Sequence, residues 1–239
     1  MNKLTIGTAQ FGLNYGINNP NNKLKHPDMR SIINCARNNH ISFIDTAISY
    51  GNSEKNLGKI GVKDFKIISK LPKLPNKILD VKFWVIDQTK ASIKKLNTKK
   101  LYGLLLHNPS DLFGPHGKNI IEALKELKMS GLVSKIGVSI YDPKELNDIF
   151  SLLKFDIVQS PLNIVDRRLL NSGWLSRLKD KGVEVHVRSI FLQGLLLIHR
   201  DKIPLKFEKW YKIWDSWVLK LEKNKLNAVS VCLNYLLSI

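Results

Sequence analysis

The sequence predicts an α/β domain of the (β/α)8 TIM-barrel type that lacks its final β8/α8 unit, and three observations carry that expectation. Seven short apolar segments alternate with amphipathic ones along the chain. No G-x-G-x-x-G fingerprint follows an early strand, which counts against an open dinucleotide-binding sheet. Polar residues stand at the ends of strands two to seven, and only a barrel brings so many consecutive strand ends to one mouth.

Strands are expected at residues 4–9, 42–46, 66–71, 102–107, 135–140, 157–161 and 184–190. Most are β-branched or leucine-rich and nearly continuous in apolar character, as parallel strands covered on both faces should be. Between the first two, Met29, Ile32, Ile33 and Ala36 form an i, i+3, i+4, i+7 helical stripe. The third helix, around residues 88–96, carries Ile86, Ile93 and Leu96 on its inner side. Ile121, Leu124 and Leu127 mark the fourth, with Gly131 as its C′ residue. The fifth opens with Asp142-Pro143 as N-cap and N1 and carries Leu146, Ile149, Phe150 and Leu153. A sixth contains Leu170, Trp174, Leu175 and Leu178, with Gly182 just beyond it.

After strand seven come a loop, Phe191-Leu192-Gln193-Gly194, and an amphipathic stretch with Phe207, Trp210, Tyr211, Trp214, Val218 and Leu221. That aromatic stretch either lines a pocket or packs a helix. A last helix, residues 227–237, presents Val229, Cys232, Leu233 and Leu236 on one side, and the sequence stops without an eighth strand. The expectation is one barrel domain over residues 1–239, incomplete at its C-terminus: a truncated product, a fragment of a longer one, or a chain completed by a partner. Strands one and seven would then carry unpaired edges, through which a homo-oligomer could form.

A chain of 239 residues supports one large core, and 44% apolar with 24% charged residues is ordinary for a globular protein. No apolar run reaches about 18 residues, so no membrane span is expected. Met1 to Gly7 run straight into strand-like sequence without a leader, and the cytoplasm is the expected location. Cys35 and Cys232 both fall on apolar helix stripes and are expected as buried free thiols. The net charge of +18 is spread in lysine pairs along the chain, without a basic block or interleaved aromatics. A composition rich in Lys, Asn and Ile explains it better than a nucleic-acid partner does.

The chemistry begins at Ile44 to Gly51, where a buried strand runs out into a loop carrying Asp45 and, five residues later, Tyr50. Lys70 and His107 stand at the ends of the next two strands. Singly each has an ordinary explanation: a turn aspartate, a packed tyrosine, a solvated lysine, a strand-end histidine. Together, in order at three consecutive strand ends, they are the parts of a proton-donating site. A phenol with a pKa of about 10 releases its proton too reluctantly at neutral pH. Lys70 is placed to stabilise the phenolate, Asp45 to hold the ammonium, and His107 to bond the oxygen that Tyr50 protonates. No metal site is expected.

These residues carry a resemblance. Gly7-Thr8-Ala9-Gln10-Phe11-Gly12, the Asp45 to Glu54 segment, Ser69-Lys70-Leu71, Leu105-Leu106-His107, Ile136-Gly137-Val138-Ser139, Gln159-Ser160-Pro161-Leu162-Asn163 and Arg188 to Gly194 resemble the aldo-keto reductase superfamily over essentially the whole chain. The resemblance implies a (β/α)8 barrel that reduces a small carbonyl compound with NADPH, or with NADH. It places the acid, lysine, aspartate and histidine of the family on Tyr50, Lys70, Asp45 and His107. It also implies that Ser139 and Gln159 hold the nicotinamide carboxamide, with Ile140 where an Asn is common. Ser189, Leu192 and Gly194 fall in the loop that approaches the pyrophosphate, and Thr8 is a further cofactor contact. The Gln193-Gly194-Leu195 ending resembles members associated with sugar metabolism. In the family, strand eight and the helix after it grip the 2′-phosphate and adenosine. The rival expectation is therefore a catalytically inactive barrel that serves as an interaction module.

Overall fold

Seven parallel strands lie side by side in chain order, so each crossover moves one strand along and never doubles back. The structure, a computed structural model, describes residues 3–17 and 24–239. Met1 and Asn2, the start of the N-terminal segment read above, lie outside the described residues. The strands are β1 (Thr5–Gly7), β2 (Phe43–Asp45), β3 (Lys66–Leu71), β4 (Leu101–Leu106), β5 (Val133–Ser139), β6 (Ile157–Pro161) and β7 (Glu184–Arg188). The helices are α1 (His26–Asn38), α2 (Ser53–Ile60), α3 (Val81–Lys95), α4 (Gly117–Met129), α5 (Glu145–Ile149), α6 (Arg168–Asn171), α7 (Trp174–Asp180), α8 (Tyr211–Lys223) and α9 (Ala228–Leu237). None of them is long and apolar enough to cross a membrane.

Side chains prove that this sheet is curled. In a flat sheet β2 and β6 would stand four strand spacings apart, about 19 Å. Yet Gln159 Nε2, on β6, donates to Asp45 Oδ1, on β2, at 2.8 Å. The rings of Phe43 on β2 and His186 on β7 also meet, with centroids 5.6 Å apart. Among the described residues no strand pairs with the outer edges of β1 and β7. Above those edges Ile17 N donates to Gln193 O at 2.9 Å, which joins the loops that follow them.

The period of two along each strand sorts residues between the two faces. Ile44, Ile67, Leu71, Ile136, Val138 and Val158 face outward into the main core shared with the helices. On the inner face Ile68, Leu105 and Ile157 form a separate small cluster, with Phe43 and Tyr102 against it. Below that cluster, at the N-terminal strand ends, Glu184 accepts hydrogen bonds from Tyr102 Oη at 2.7 Å and from Lys135, and meets His186 Nε2 at 2.5 Å. Burial alone would raise the Glu184 carboxyl, but bonds from His186, Lys135 and Tyr102 hold it at about 2. The polar residues of the C-terminal strand ends lie above.

Several local expectations need correction. The sixth helix is two, α6 and α7, because Ser172-Gly173 interrupts it and Gly173 takes φ +73°. The inner face of α3 is Val81, Val85, Thr89 and Ser92, with Ile86 and Ile93 only flanking the core. Asp142 does accept a backbone bond, from Lys144 N at 2.9 Å, but α5 starts two residues later than the Asp142-Pro143 signal implied. Cys35 is exposed, one residue's rotation off the Met29–Ile33–Ala36 stripe, while Cys232 is buried. The aromatic stretch packs: Trp214 Nε1 donates to Leu195 O at 3.2 Å and Trp217 Nε1 to Leu196 O at 3.1 Å, which pins the loop after β7.

Candidate active site

Asp45 ends β2 on its inner face, and the backbone beyond it is steered by β3. Thr46 N donates to Ile68 O at 2.9 Å and Ile48 N to Lys70 O at 3.1 Å, so the loop climbs β3 before it turns. The turn that presents Tyr50 depends on two facing glycines. A Cβ on Gly12 would stand 1.8 Å from Tyr50 O, and Gly51 holds φ +54° with its own Cβ position 2.8 Å from Gly12 O. Only glycine permits both approaches.

Lys70, on the inner face of β3, is fully buried, and its ammonium donates to Asp45 Oδ1 at 2.7 Å, Asp45 Oδ2 at 2.8 Å and Thr46 O at 2.8 Å. Those acceptors match the three N–H donors of an ammonium. Its Nζ lies 5.3 Å from the centre of the Tyr50 ring. His107 follows β4, anchored by its N–H to Leu71 O at 3.1 Å, and its ring meets that of Tyr50 edge to face at 5.8 Å. Ser49 Oγ is 3.1 Å from His107 Nδ1.

The electrostatics follow from burial. Burial pulls the Lys70 ammonium below its ordinary value, against the attraction of Asp45. Burial, reinforced by the Lys70 charge, lowers the His107 imidazole to about 4, so the ring is neutral at neutral pH. The Tyr50 phenol is pushed well above its ordinary range, by burial first and then by the Asp45 carboxylate. This reverses the expectation that Lys70 would pull the phenol down. Its three donors are spent on Asp45 and Thr46, and the carboxylate offsets its field.

The cofactor candidates divide into two groups. Ser139 and Gln159 are buried beside the four, with Ser139 Oγ donating to Gln159 Oε1 at 3.2 Å and Gln159 bonded to Asp45. Thr8 is buried too, but its hydroxyl donates to Asp45 O at 2.9 Å and accepts from Ser53 Oγ at 3.1 Å, tying β1 to β2 and α2. Ser189, Leu192 and Gly194 belong to the loop after β7, where Ser189 takes φ +58° and Leu192 φ +49°. Asn163 Nδ2 donates to Ser189 O at 3.0 Å and holds the start of that loop. Leu192 and Gly194 make backbone bonds to Ser189 O and Phe191 O within it.

Three residues outside the expected set shape the site. Glu54, on α2, is buried, and its Oε1 accepts from Ser69 Oγ at 2.7 Å and Ser92 Oγ at 2.6 Å, clamping α2 to β3 and α3 next to Lys70. Ser49 fixes the ring of His107. Arg188, last residue of β7, lies over the Tyr141 ring at 4.4 Å. The alternating Glu184-Val185-His186-Val187-Arg188 was the available signal, since helices cover the valine face and leave the charged face for the interior.

With this geometry in hand, relatives can be placed beside it. The aldo/keto reductase family model matches residues 3–238. Over 197 residues the chain is 27% identical to the NADH-specific methylglyoxal reductase of Escherichia coli, covering 69% of this chain and 57% of that protein. Over 120 residues it is 29% identical to the uncharacterized oxidoreductase YqkF of Bacillus subtilis, covering 47% of this chain and 38% of that protein. The chain thus spans about half the length of these curated relatives. Its fold is similar to that of the glycerol dehydrogenase AKR11B4 from Gluconobacter oxydans, with a TM-score of 0.76 and 19% identity over 100% of this chain and 80% of that one. It is also similar to the aldo-keto reductase AKR11C1 from Bacillus halodurans, with a TM-score of 0.66 and 23% identity over 81% of this chain and 64% of that one.

Proposed function

This chain belongs to the aldo/keto reductase family, and we propose that it reduces an aldehyde or ketone to the alcohol, with Tyr50 as general acid. The observation that carries this reading is the meeting of Tyr50, His107 and the Lys70–Asp45 pair at one barrel mouth. A general acid must be protonated before it acts, and the raised phenol meets that condition. As its proton moves from Oη to the carbonyl oxygen, negative charge grows on the phenolate, and the Arg188 cation favours that charge through space while Asp45 offsets the field of Lys70. Such stabilisation acts on the transition state, where it accelerates the reaction.

His107 works here as a neutral imidazole. With Ser49 donating to Nδ1, the ring hydrogen resides on Nε2, which then donates to the carbonyl oxygen and orients it. Gln159 and Ser139 fit a carboxamide, because Gln159 keeps one amide hydrogen and an oxygen lone pair beyond its bonds to Asp45 and Ser139. A bound NADPH or NADH supplies the hydride. The loop of Ser189, Leu192 and Gly194 is the proposed neighbour of its pyrophosphate, and Thr8 supports the same wall through Asp45. In this reading the seven strands correspond to an eight-stranded barrel short of one βα unit.

The test is a titration of the chain with NADPH and with NADH, followed by quenching of tryptophan fluorescence, then turnover of a panel of small aldehydes by loss of nicotinamide absorbance. Saturable quenching with aldehyde-dependent oxidation is the expected result. No saturable change up to millimolar nucleotide would leave a barrel without catalytic use of these residues.

A further inference from the structure

Among the described residues, Arg188 is a cation without a counter-ion at the mouth. The inner face of β7 carries Glu184, His186 and Arg188, and the first two are consumed in the barrel floor. Arg188 donates through one terminal nitrogen to Ile140 O at 3.1 Å and through the other to Ser189 Oγ at 3.4 Å. A guanidinium has five N–H donors, so most remain unspent. Among the described residues no carboxylate forms an ion pair with it. Its charge nevertheless reaches Tyr50, Lys70 and His107, and works against a proton on each of the three. Its bond to Ile140 O, one residue past Ser139, sets it at the same strand ends as the Ser139–Gln159–Asp45 chain of hydrogen bonds, beside the reacting centre.

Holding an unpaired, partly buried cation near Lys70 costs desolvation and repulsion. A bound anion offsets both. The ring of Tyr141, 61% exposed, backs the guanidinium and fixes its plane while its donors stay available. A planar fork of this kind suits the bidentate geometry of carboxylate and phosphate oxygens.

We propose that Arg188, backed by Tyr141, is the subsite for an anionic group on the substrate, so that the chain prefers carbonyl compounds bearing a carboxylate or phosphate near the carbonyl. This rests on the reductase reading above. A competing source of the same chemistry is the pyrophosphate of the cofactor, since Ser189 adjoins Arg188, and the experiment separates the two.

Wild-type, Arg188→Met and Arg188→Lys chains are compared on matched pairs: succinic semialdehyde against butanal, and glyceraldehyde 3-phosphate against glyceraldehyde. The wild type should favour the charged member of at least one pair by about tenfold or more in kcat/KM, as expected for one charge-assisted bidentate contact. The preference should collapse towards one in Arg188→Met and return in part in Arg188→Lys. Succinate and inorganic phosphate binding is read independently from the His107 ring resonances by NMR, and should saturate in wild type and vanish in Arg188→Met. Equal loss on both members of a pair, with weaker nucleotide binding, would give Arg188 to the cofactor and overturn the subsite. Absence of both charge preference and anion binding in the wild type would overturn it too. If no aldehyde is reduced at all, the reductase reading fails, and the NMR titration alone decides the anion site.

Discussion

Gln159 Nε2 donates to Asp45 Oδ1 at 2.8 Å across the mouth, from the sixth strand to the second. One carboxylate therefore takes bonds from Lys70 at both oxygens and from Gln159 at one. It couples the group that balances the lysine charge to the residue proposed to hold the nicotinamide. The curl of the sheet and the assembly of the site share this contact.

Asp45→Asn should cost more stability than Lys70→Met. The Lys70 side chain is 1% exposed and the Asp45 side chain 16%, so Asp45→Asn leaves a buried ammonium without its counter-charge, at about 3–5 kcal/mol. Lys70→Met leaves a carboxylate with more solvent and the Gln159 donor still in place. Urea denaturation of both variants checks the order. Equal losses would mean that burial of the lysine is not what gives the pair its weight.

His107 should titrate at about 4 in the folded chain, against about 6.5 for a free histidine. The lowered value means that the unfolded chain binds the proton first. His107 therefore contributes stability above about pH 6.5, and that contribution is lost as pH falls towards 4. The Glu184 carboxyl, held at about 2, has a second window that opens below about pH 4.5 and closes near 2. Denaturation midpoints of wild type, His107→Gln and Glu184→Gln across this range should separate the two windows. An NMR titration giving His107 an ordinary pKa would contradict its burial.

Glu54→Ala should destabilise the chain by about 2–4 kcal/mol, because the buried hydroxyls of Ser69 and Ser92 lose their shared acceptor. Glu54→Gln keeps an acceptor for both, and its second oxygen has no partner to lose. Its cost should be about 1 kcal/mol or less. Thermal unfolding of the two variants measures the difference, and identical losses would discount the serine bonds.

In the proposed tautomer Ser49 donates to His107 Nδ1 and leaves the ring hydrogen on Nε2, so Ser49→Ala removes the contact that holds that tautomer. The expected outcome is a fall in kcat of about tenfold, the worth of one oriented hydrogen bond, with nucleotide affinity retained. Nitrogen chemical shifts of His107 report the tautomer directly. An unchanged tautomer would release Ser49 from this role.

Much of this was legible. β3 and β6 start and end where the apolar runs do, and Asp45, Tyr50, Lys70 and His107 are drawn together as their order implied. Asp45, Lys70 and His107 sit at or just past strand ends, where the period of two fixes the face, and Tyr50 rides on the loop that follows Asp45. Glu54 was not legible, because its partners Ser69 and Ser92 lie on other elements and no local pattern links them. Arg188 was hidden by the expectation that parallel strands are apolar throughout, whereas β7 alternates valine with charge. The direction of the Tyr50 shift also escaped the sequence. Proximity to Lys70 is readable, but the spending of its three donors on Asp45 and Thr46 is a matter of geometry.

The most direct test of the central claim is Tyr50→Phe, which removes one oxygen and leaves the ring against His107. Aldehyde-dependent NADPH or NADH oxidation should fall by about a hundredfold or more, the scale of a lost general acid. Nucleotide binding, read by fluorescence quenching, should stay within about twofold, too small a change to signal a lost hydrogen bond. Turnover unchanged from wild type would contradict Tyr50 as the acid.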